Sequence, residues 1–556
     1  MRKLLLPILA LAASACAPPE PAKVPDAAPN RDKPAVSAEE AFAIKGPVRE
    51  EWMPLLKPPV IDPQKTKLLA PPLGLVPAPA VCAEWAARKP SSKAKCADST
   101  SALAALDAAL ALTDASGRDQ ALTDLEVCAG LPVGVARALR AEHAPIACGE
   151  ALGEPLLKAP PAAMNGLVYH ALLGQAVASR LSRAAENPPS LAKPHNKARV
   201  AEFIKGPMRA WFDQQARAIE DVSQAAAELP YYGKGIAAVE AGIADLRLVE
   251  AARNAPIPDE FARDDELKNA YYGSLDQWLD PRKDRGRDAA LVGLRELALV
   301  GIIHDARVDR ARVMLSRLYG GRRVDALDGL LFPALPKAAP ATVEERLAGA
   351  LPTLYAGLLL DERAAARPGV MRMLLERGVP LPQRMALRGV ALTPETAALY
   401  ARARLALGRT YWRGVDFDQA AALAGAARAG APSEENSFLL ALSLSLRGGP
   451  EDAADMMRKT TRAFSASPSV GALDYLAQQA PPGPLSGMAA FDAAMVQQLA
   501  APEGANAAYW SDVAGRFRAA AARLGDPAHK AASEDRAKAA DAIAKAIGEP
   551  SPAPKK

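Results

Sequence analysis

Five histidines offer the first place to look for acid–base or metal chemistry: His143, His170, His195, His304 and His529. None stands in His-Glu-x-x-His, the spacing that turns two imidazoles toward a zinc ion from one helix face. His304 precedes Asp305 on an expected helix and reads as a surface or packed residue. No Gly-x-Ser-x-Gly elbow is present. Ser92-Lys93-Ala94-Lys95 has the Ser-x-x-Lys spacing that opens a penicillin-binding signature, but the companion Lys-Thr-Gly is absent. No Gly-x-x-x-x-Gly-Lys loop could cradle a phosphate. The paired carboxylates Asp264-Asp265 and Glu434-Glu435 lie in polar stretches suited to helix starts, where negative charge offsets the helix dipole. A glycan-cleaving glutamate of the lytic transglycosylase kind would be followed by serine, and no Glu-Ser pair occurs. The sequence therefore nominates no catalytic residue, no metal ligand set and no cofactor.

Cysteine chemistry is better defined. Cys82, Cys96, Cys128 and Cys148 fall in one short region, and none occurs in the remainder of the chain toward the C-terminus. They form no Cys-x-x-Cys pair, which argues against zinc or a thioredoxin-like site. An even number in an exported chain implies two disulfides. Of three possible connectivities, Cys82–Cys96 with Cys128–Cys148 is the expected one, each bond clipping a helix hairpin.

The elements that must carry these residues are helices. Hydrophobic residues make up 50% of the 556, aromatics only 5%, and Ala leads the apolar set. Ala and Leu interspersed with Arg, Glu and Asp favour helix, and alternating Val, Ile and Thr are scarce. From about Ser101 the apolar spacing is helical almost throughout, punctuated by Gly130, Gly149, Pro160, Pro188, Pro230, Pro256 and Gly273. Breaks between amphipathic helices suggest stacked hairpins. Ile44-Lys45-Gly46-Pro47 returns as Ile204-Lys205-Gly206-Pro207, each followed by Trp at 52 and 211. The Gly-Pro is expected to open a helix, with proline in the first turn.

The segment from Pro281 to Asp325 is dense in arginine, including Arg282, Arg285, Arg287, Arg307, Arg310, Arg312, Arg317, Arg322 and Arg323. Interspersed aspartates suggest salt-bridged helix faces; contact with anionic lipid or cell-wall polymer is the functional alternative. Tyr231-Tyr232 and Tyr271-Tyr272 are expected in the core rather than at a surface. The net charge of +5 comes from 68 basic and 63 acidic residues. That near balance, with no basic arm, speaks against nucleic-acid binding.

The first residues have the order of an export signal. Met1-Arg2-Lys3 are basic, Leu4 to Ala12 are apolar, and Ala13-Ser14-Ala15 are small before Cys16. The apolar stretch is too short to span a bilayer. This start resembles that of bacterial lipoproteins, although Leu is usual where Ala13 stands. The resemblance implies cleavage before Cys16 and lipidation of that residue, a stable anchor when several acyl chains are attached. Ala17 in place of Asp implies the outer membrane, facing the periplasm. Pro and Ala continue to Val36 and recur from Pro58 to Pro79. Residues 16–79 thus read as lipidated Cys and Pro-rich tether, extending about 3.1 Å per residue.

Leu407, Gly408, Tyr411, Ala420, Ala427 and Pro432 stand at the spacing of a two-helix repeat, and Leu440, Ala441, Ala453 and Met457 echo it. Here the chain resembles the tetratricopeptide repeat family. In such a unit Gly408 and Ala420 would let two helices approach, Tyr411 would fill between them and Pro432 would stop the second. Arg404 stands where a bulky aromatic is usual, and Ala424 where a large apolar residue is usual. A weaker candidate runs from Ala290 to Leu318, with Leu294, Leu297, Ala298, Ile302, Asp309, Ala311 and Leu315.

The expected fold is all-α: an α-solenoid of stacked helix hairpins behind a disordered Pro-rich tether. Its parts are a signal peptide (1–15), the tether (16–79), a Cys-containing helical region (80–190) and a helical region with a weak repeat (196–335). Repeat-like helices (340–480, best 401–468), C-terminal helices (485–548) and a disordered tail (549–556) follow. Repeat superhelices present concave surfaces, so the expected function is a membrane-anchored envelope scaffold that binds a protein or peptide. Arg404, Arg409 and Arg413 are expected to line its groove. The rival readings are a cell-wall glycan-acting enzyme and a passive spacer.

Overall fold

The computed structural model describes residues 37–49, 60–62, 68, 70–91, 114–299, 305–319, 323–333, 393–448, 469–479 and 481–548, with isolated positions between 96 and 112 and between 452 and 464. Cys16, the signal peptide and tether to Val36, Ser92–Lys95, Ile302, His304, Arg322, residues 340–392, Gly449–Glu451, Pro468 and the tail 549–556 lie outside the described residues. Every described element is helical, and no strand occurs among the described residues.

The N-terminal part contains α1 (Ala38–Ala41), α2 (Ala80–Ala87), α3 (Ala115–Asp124), α4 (Val135–His143), α5 (Gly149–Lys158) and α6 (Gly166–Ser182). Next come α7 (Lys197–Phe203), α8 (Arg209–Gln224), α9 (Tyr231–Arg253), α10 (Asp259–Ala262), α11 (Asp265–Leu299) and α12 (Ala306–Leu318). The C-terminal part holds α13 (Pro394–Tyr411), α14 (Gly414–Gly430), α15 (Glu434–Leu446), α16 (Gly471–Ala477), α17 (Ser486–Leu499), α18 (Ala507–Ala521) and α19 (Pro527–Gly548). Side chains of Asn165, Asn196, Asp305, Ser433 and Asn506 cap their helices by accepting main-chain N–H groups that have no partner within the first turn.

Helix α6 is buried on all sides, which its Leu, Ala, Val and Gly content permits. It packs between α5 and α9, and α9 in turn packs along α11. The α9–α11 pair is antiparallel and close. Small residues recur every seven positions on both helices: Gly235 and Gly242 on α9, Gly286 and Gly293 on α11. Gly242 faces Ala290, Gly293 faces Val239, and Gly286 faces Leu246. A Cβ on Gly242 would lie 2.5 Å from the Ala290 nitrogen, and one on Gly293 would lie 2.4 Å from the Val239 nitrogen. Backbone therefore meets backbone along this seam. From α13 to α19, successive helices pack against one another in chain order.

Several sequence expectations are corrected. The disulfides are Cys82–Cys148 and Cys96–Cys128, not Cys82–Cys96 and Cys128–Cys148. Packing decides this: α2 lies on the start of α5, bringing the Cys82 and Cys148 Cα atoms within 4.8 Å. Gly273 does not break a helix; α11 runs through it and through Pro281 for 35 residues. Interior glycine and proline cost helix stability, but burial of the far half of α11 outweighs that cost. Neither Gly-Pro opens a helix. Pro207 sits in a π-helical turn (Ile204–Met208) that joins α7 to α8, and Gly46 adopts φ +81° in a loop. Proline has no N–H to donate, so the regular ladder is interrupted at Pro207 and the chain passes through a single π turn there. The weak repeat at 290–318 is not a hairpin of its own, because α12 packs chiefly on α9 rather than on α11.

Parts of the stretch read as tether are docked. Arg447 donates to the carbonyls of Lys45 and Pro47, and the Arg428 guanidinium lies 4.1 Å above the Phe42 ring. Further along, Gln215 donates to the Gly74 carbonyl and Arg183 to the Val76 carbonyl. The Arg-rich segment is ion-paired within the body. Arg282 and Arg285 reach Glu220 and Asp245, Arg310 reaches Glu240, and Arg317 reaches Glu250. Tyr232 is buried, and burial raises its phenol pKa. Tyr271 and Tyr272 are partly buried.

Candidate functional site

Helices α13 and α14 meet where the sequence placed its small residues. A Cβ on Gly408 would fall 2.5 Å from the Phe417 ring, so glycine is what lets Phe417 lie against α13. Leu407, Tyr411, Ala420, Ala424 and Ala427 are buried in this hairpin, and Leu440, Ala441, Ala453 and Met457 are buried beyond it. Pro432 is exposed between α14 and α15, two residues after α14 ends.

The three arginines expected in a groove divide. Arg404 and Arg413 do not line one. Arg404 is 2% exposed, donates to Asp416 at 2.8 Å and to the Tyr400 hydroxyl at 2.7 Å, and lies over the Tyr400 ring. Arg413 holds the other Asp416 oxygen at 3.1 Å. Asp416 is fully buried, so both guanidinium groups are drawn inward to neutralise it. Arg404 thus braces α13 to α14 at the place a bulky aromatic would fill.

Arg409 alone reaches a surface that receives chain. Residues 323–333 leave α12 and lie against α13, α17 and α19. Val324, Leu327, Leu330 and Pro333 are buried there. Leu330 has extended backbone (φ −69°, ψ 139°), after the short 3-10 turn Ala326–Gly329. The contacts fall largely on main-chain atoms. Trp412 donates its indole N–H to the Val324 carbonyl at 2.6 Å, and Arg409 donates to the Leu330 carbonyl at 3.4 Å. Arg402 donates to the Pro333 carbonyl. The Leu331 amide donates to Asp492 at 2.8 Å, and the Arg409 guanidinium stands 4.5 Å from the Phe332 ring centre.

Two of these groups sit in costly states. Trp412 occupies left-handed backbone (φ +53°), and the Arg413 amide bonds the Gly408 carbonyl, a helix ending in which glycine usually takes the left-handed place. The strain, of order 1 kcal/mol, is offset by an indole that reaches the segment. Asp492 is fully buried on an otherwise apolar face of α17. Burial pushes its carboxyl well above the usual range, with the Leu331 amide and Arg409 pulling part of the way back. One of its oxygens accepts from Leu331; the other has no hydrogen-bond partner. Sequence reasoning missed Arg402, Trp412 and Asp492. The signals existed: Arg402 lies two turns before Arg409, and Asp492 is a lone acid in Ala489-Ala490-Phe491-Asp492-Ala493-Ala494-Met495-Val496.

The described histidines, His143, His170, His195 and His529, do not converge. His170 is buried with Nδ1 2.6 Å from the Gly166 carbonyl oxygen, His195 bonds Leu191, and His529 sits near Asp526 at a helix start. His143 opens onto a cleft of about 480 Å³ shared with Glu142, Asp305, Arg307 and Arg310. Protein packed around the imidazole, and the Arg118 charge, hold its pKa below the ordinary value. Of the two acids lining the cleft, Asp305 is already committed: it is bound by Arg307, whose charge and hydrogen bonds outweigh burial and lower its pKa. A carboxyl held ionised in this way is a charge partner, not a proton donor. Among the described residues no group of three or more His, Cys, Asp or Glu is placed to hold a metal ion. Asp264 caps the start of α11, and Glu434 lies in the first turn of α15, as helix-dipole reasoning expects.

No family model, no curated protein and no solved structure matches this chain.

Proposed function

We propose that this chain is a lipid-anchored scaffold of the bacterial envelope, held at the outer membrane through Cys16, whose repeat-like α-solenoid binds a protein partner. The observation that carries the reading is the surface formed by α13 and α17. Its arginine, indole and carboxyl groups engage main-chain carbonyls and an amide of a non-helical segment. Donors and acceptors aimed at backbone suit the binding of a polypeptide, because every polypeptide offers the same groups at regular intervals. The two disulfides accord with an oxidising compartment such as the periplasm. Lipidation and export rest on the order of residues around Cys16.

The test is photo-cross-linking in the native cell. A photoreactive residue replaces Ala406, partly buried between Arg402 and Arg409 on α13, in one strain and the exposed Lys538 of α19 in another. A defined envelope protein joined from position 406 and not from 538 supports the scaffold. Adducts that are the same from both positions, or none from 406, sink it. Fractionation of a Cys16→Ser variant reads the anchor separately: the chain should leave the membrane fraction.

A further inference from the structure

The segment 323–333 is held from two sides, and its two halves differ. The first half is shared: Arg312 of α12 pairs with Asp328 at 2.6 Å and donates to the Val324 carbonyl at 3.3 Å, and Trp412 donates to that same carbonyl. The second half, Leu330–Pro333, belongs to the surface of α13 and α17. Arg409 takes the Leu330 carbonyl, Asp492 the Leu331 amide, Arg409 again the Phe332 ring, and Arg402 the Pro333 carbonyl. Gly329 joins the halves beneath the ends of Arg536 and Met495, both flexible side chains. In sequence, residues 334–393 separate Pro333 from α13. The second half therefore has a glycine before it and a long stretch of chain after it.

The recognition chemistry is also specific. One buried aliphatic (Leu330), one half-buried aliphatic, an aromatic ring under a guanidinium and a buried proline follow one another. The amide between the two aliphatics meets a buried carboxyl, and the carbonyls on either side meet arginines. Nothing in that set depends on the segment being covalently part of this chain.

Resting on the scaffold reading above, we propose that the α13–α17 surface is a peptide-binding groove and that Leu330–Pro333 is its internal stand-in ligand. The partner it takes is an extended segment of the pattern aliphatic–aliphatic–aromatic–proline. Such a segment replaces Leu330–Pro333 contact for contact. Occupation by the internal segment lowers apparent affinity by the fraction of time the groove is open. The groove is thus closed to weak peptides and opens to a partner of matching pattern at high local concentration.

The probe is a labelled ten-residue peptide amide with the sequence Val-Asp-Ala-Leu-Asp-Gly-Leu-Leu-Phe-Pro, titrated by fluorescence anisotropy against the full chain. A scrambled peptide serves as control. A double variant, Leu330→Ser with Phe332→Ala, weakens the internal ligand and leaves the groove intact. It is expected to bind the peptide at least tenfold more tightly than the wild type, and not the scrambled one. Adding Arg402→Ala and Arg409→Ala should remove that gain. Equal binding by the wild type and the double variant, or equal binding of the two peptides, overturns the proposal. Should the double variant lose its cooperative melt, the wild type still decides. Excess peptide should speed hydrogen exchange at the Leu330–Phe332 amides, and unchanged exchange with peptide bound refutes displacement. A wild-type dimer that the peptide splits into monomers would make a second copy the occupant, and the partner claim falls. If these assays fail while position 406 still captures an envelope protein, the scaffold reading survives and only the ligand pattern is wrong.

Discussion

Two glycine-to-alanine changes, identical in chemistry, should move stability in opposite directions. Gly242 lies on the α9–α11 seam and Gly273 lies in the exposed first half of α11. Alanine is the better helix former by about 1 kcal/mol at either place. At Gly273 no atom lies within 4 Å of the added Cβ, so Gly273→Ala should stabilise by up to about 1 kcal/mol. At Gly242 the new carbon would lie 2.5, 2.6 and 2.7 Å from the nitrogen, Cβ and Cα of Ala290. Two of those three atoms are backbone and cannot rotate away, so the helices must part by nearly 1 Å. A gap of that size forfeits a quarter to a half of each dispersion contact it opens. With an overpacking cost near 3 kcal/mol and the propensity gain returned, Gly242→Ala should destabilise by about 2 kcal/mol. The two variants should therefore differ by about 3 kcal/mol. Urea unfolding followed by helical circular dichroism measures this directly. If Gly242→Ala is as stable as the wild type, or both variants shift the same way, the close backbone seam is refuted.

Three other outcomes follow from the same physics. Asp416→Ala leaves the buried Arg404 charge without its partner and should cost about 3–5 kcal/mol, whereas Arg404→Met with Asp416→Leu should recover most of that; an uncorrected double variant in the same melts would contradict the buried pair. Asp492 carries a raised pKa when folded, so the stability it brings is complete below the ordinary 3.8 and drains as pH rises through the folded value. Asp492→Asn cannot lose that proton, so relative to the wild type it should gain stability from pH 4 to pH 8, and a parallel pair of pH profiles from urea midpoints would count against the buried acid. Peptide mapping without reductant should yield Cys82 joined to Cys148 and Cys96 joined to Cys128; removing either bond should cost about 4 kcal/mol for loops of 66 and 32 residues, and a Cys82–Cys96 peptide would overturn the packing of α2 on α5.

The helical class was legible from residue type and spacing. Ala and Leu periodicity, with caps such as Asn165 and Ser433, determines helices locally, because each helix closes its own hydrogen bonds within one turn. The burial of Leu407, Ala420, Ala427, Leu440 and Met457 was legible for the same reason: apolar residues at helical spacing mark an inward face. Gly408 could be read as a close approach because its partner, Phe417, lies only nine residues away.

Tertiary structure decided what depends on distant chain. Cys82 pairs with Cys148 rather than with the nearer Cys96 because α2 packs on α5, a contact no local pattern encodes. Arg404 and Arg413 turn inward because Asp416 is buried between their helices, and a charge seeks its counter-charge where water is excluded. Arg402, Arg409, Trp412 and Asp492 become one surface only once residues 323–333 lie across α13 and α17. Spacing along the chain specifies which face of a helix a residue occupies; which other face it meets is settled by the packing of the whole molecule.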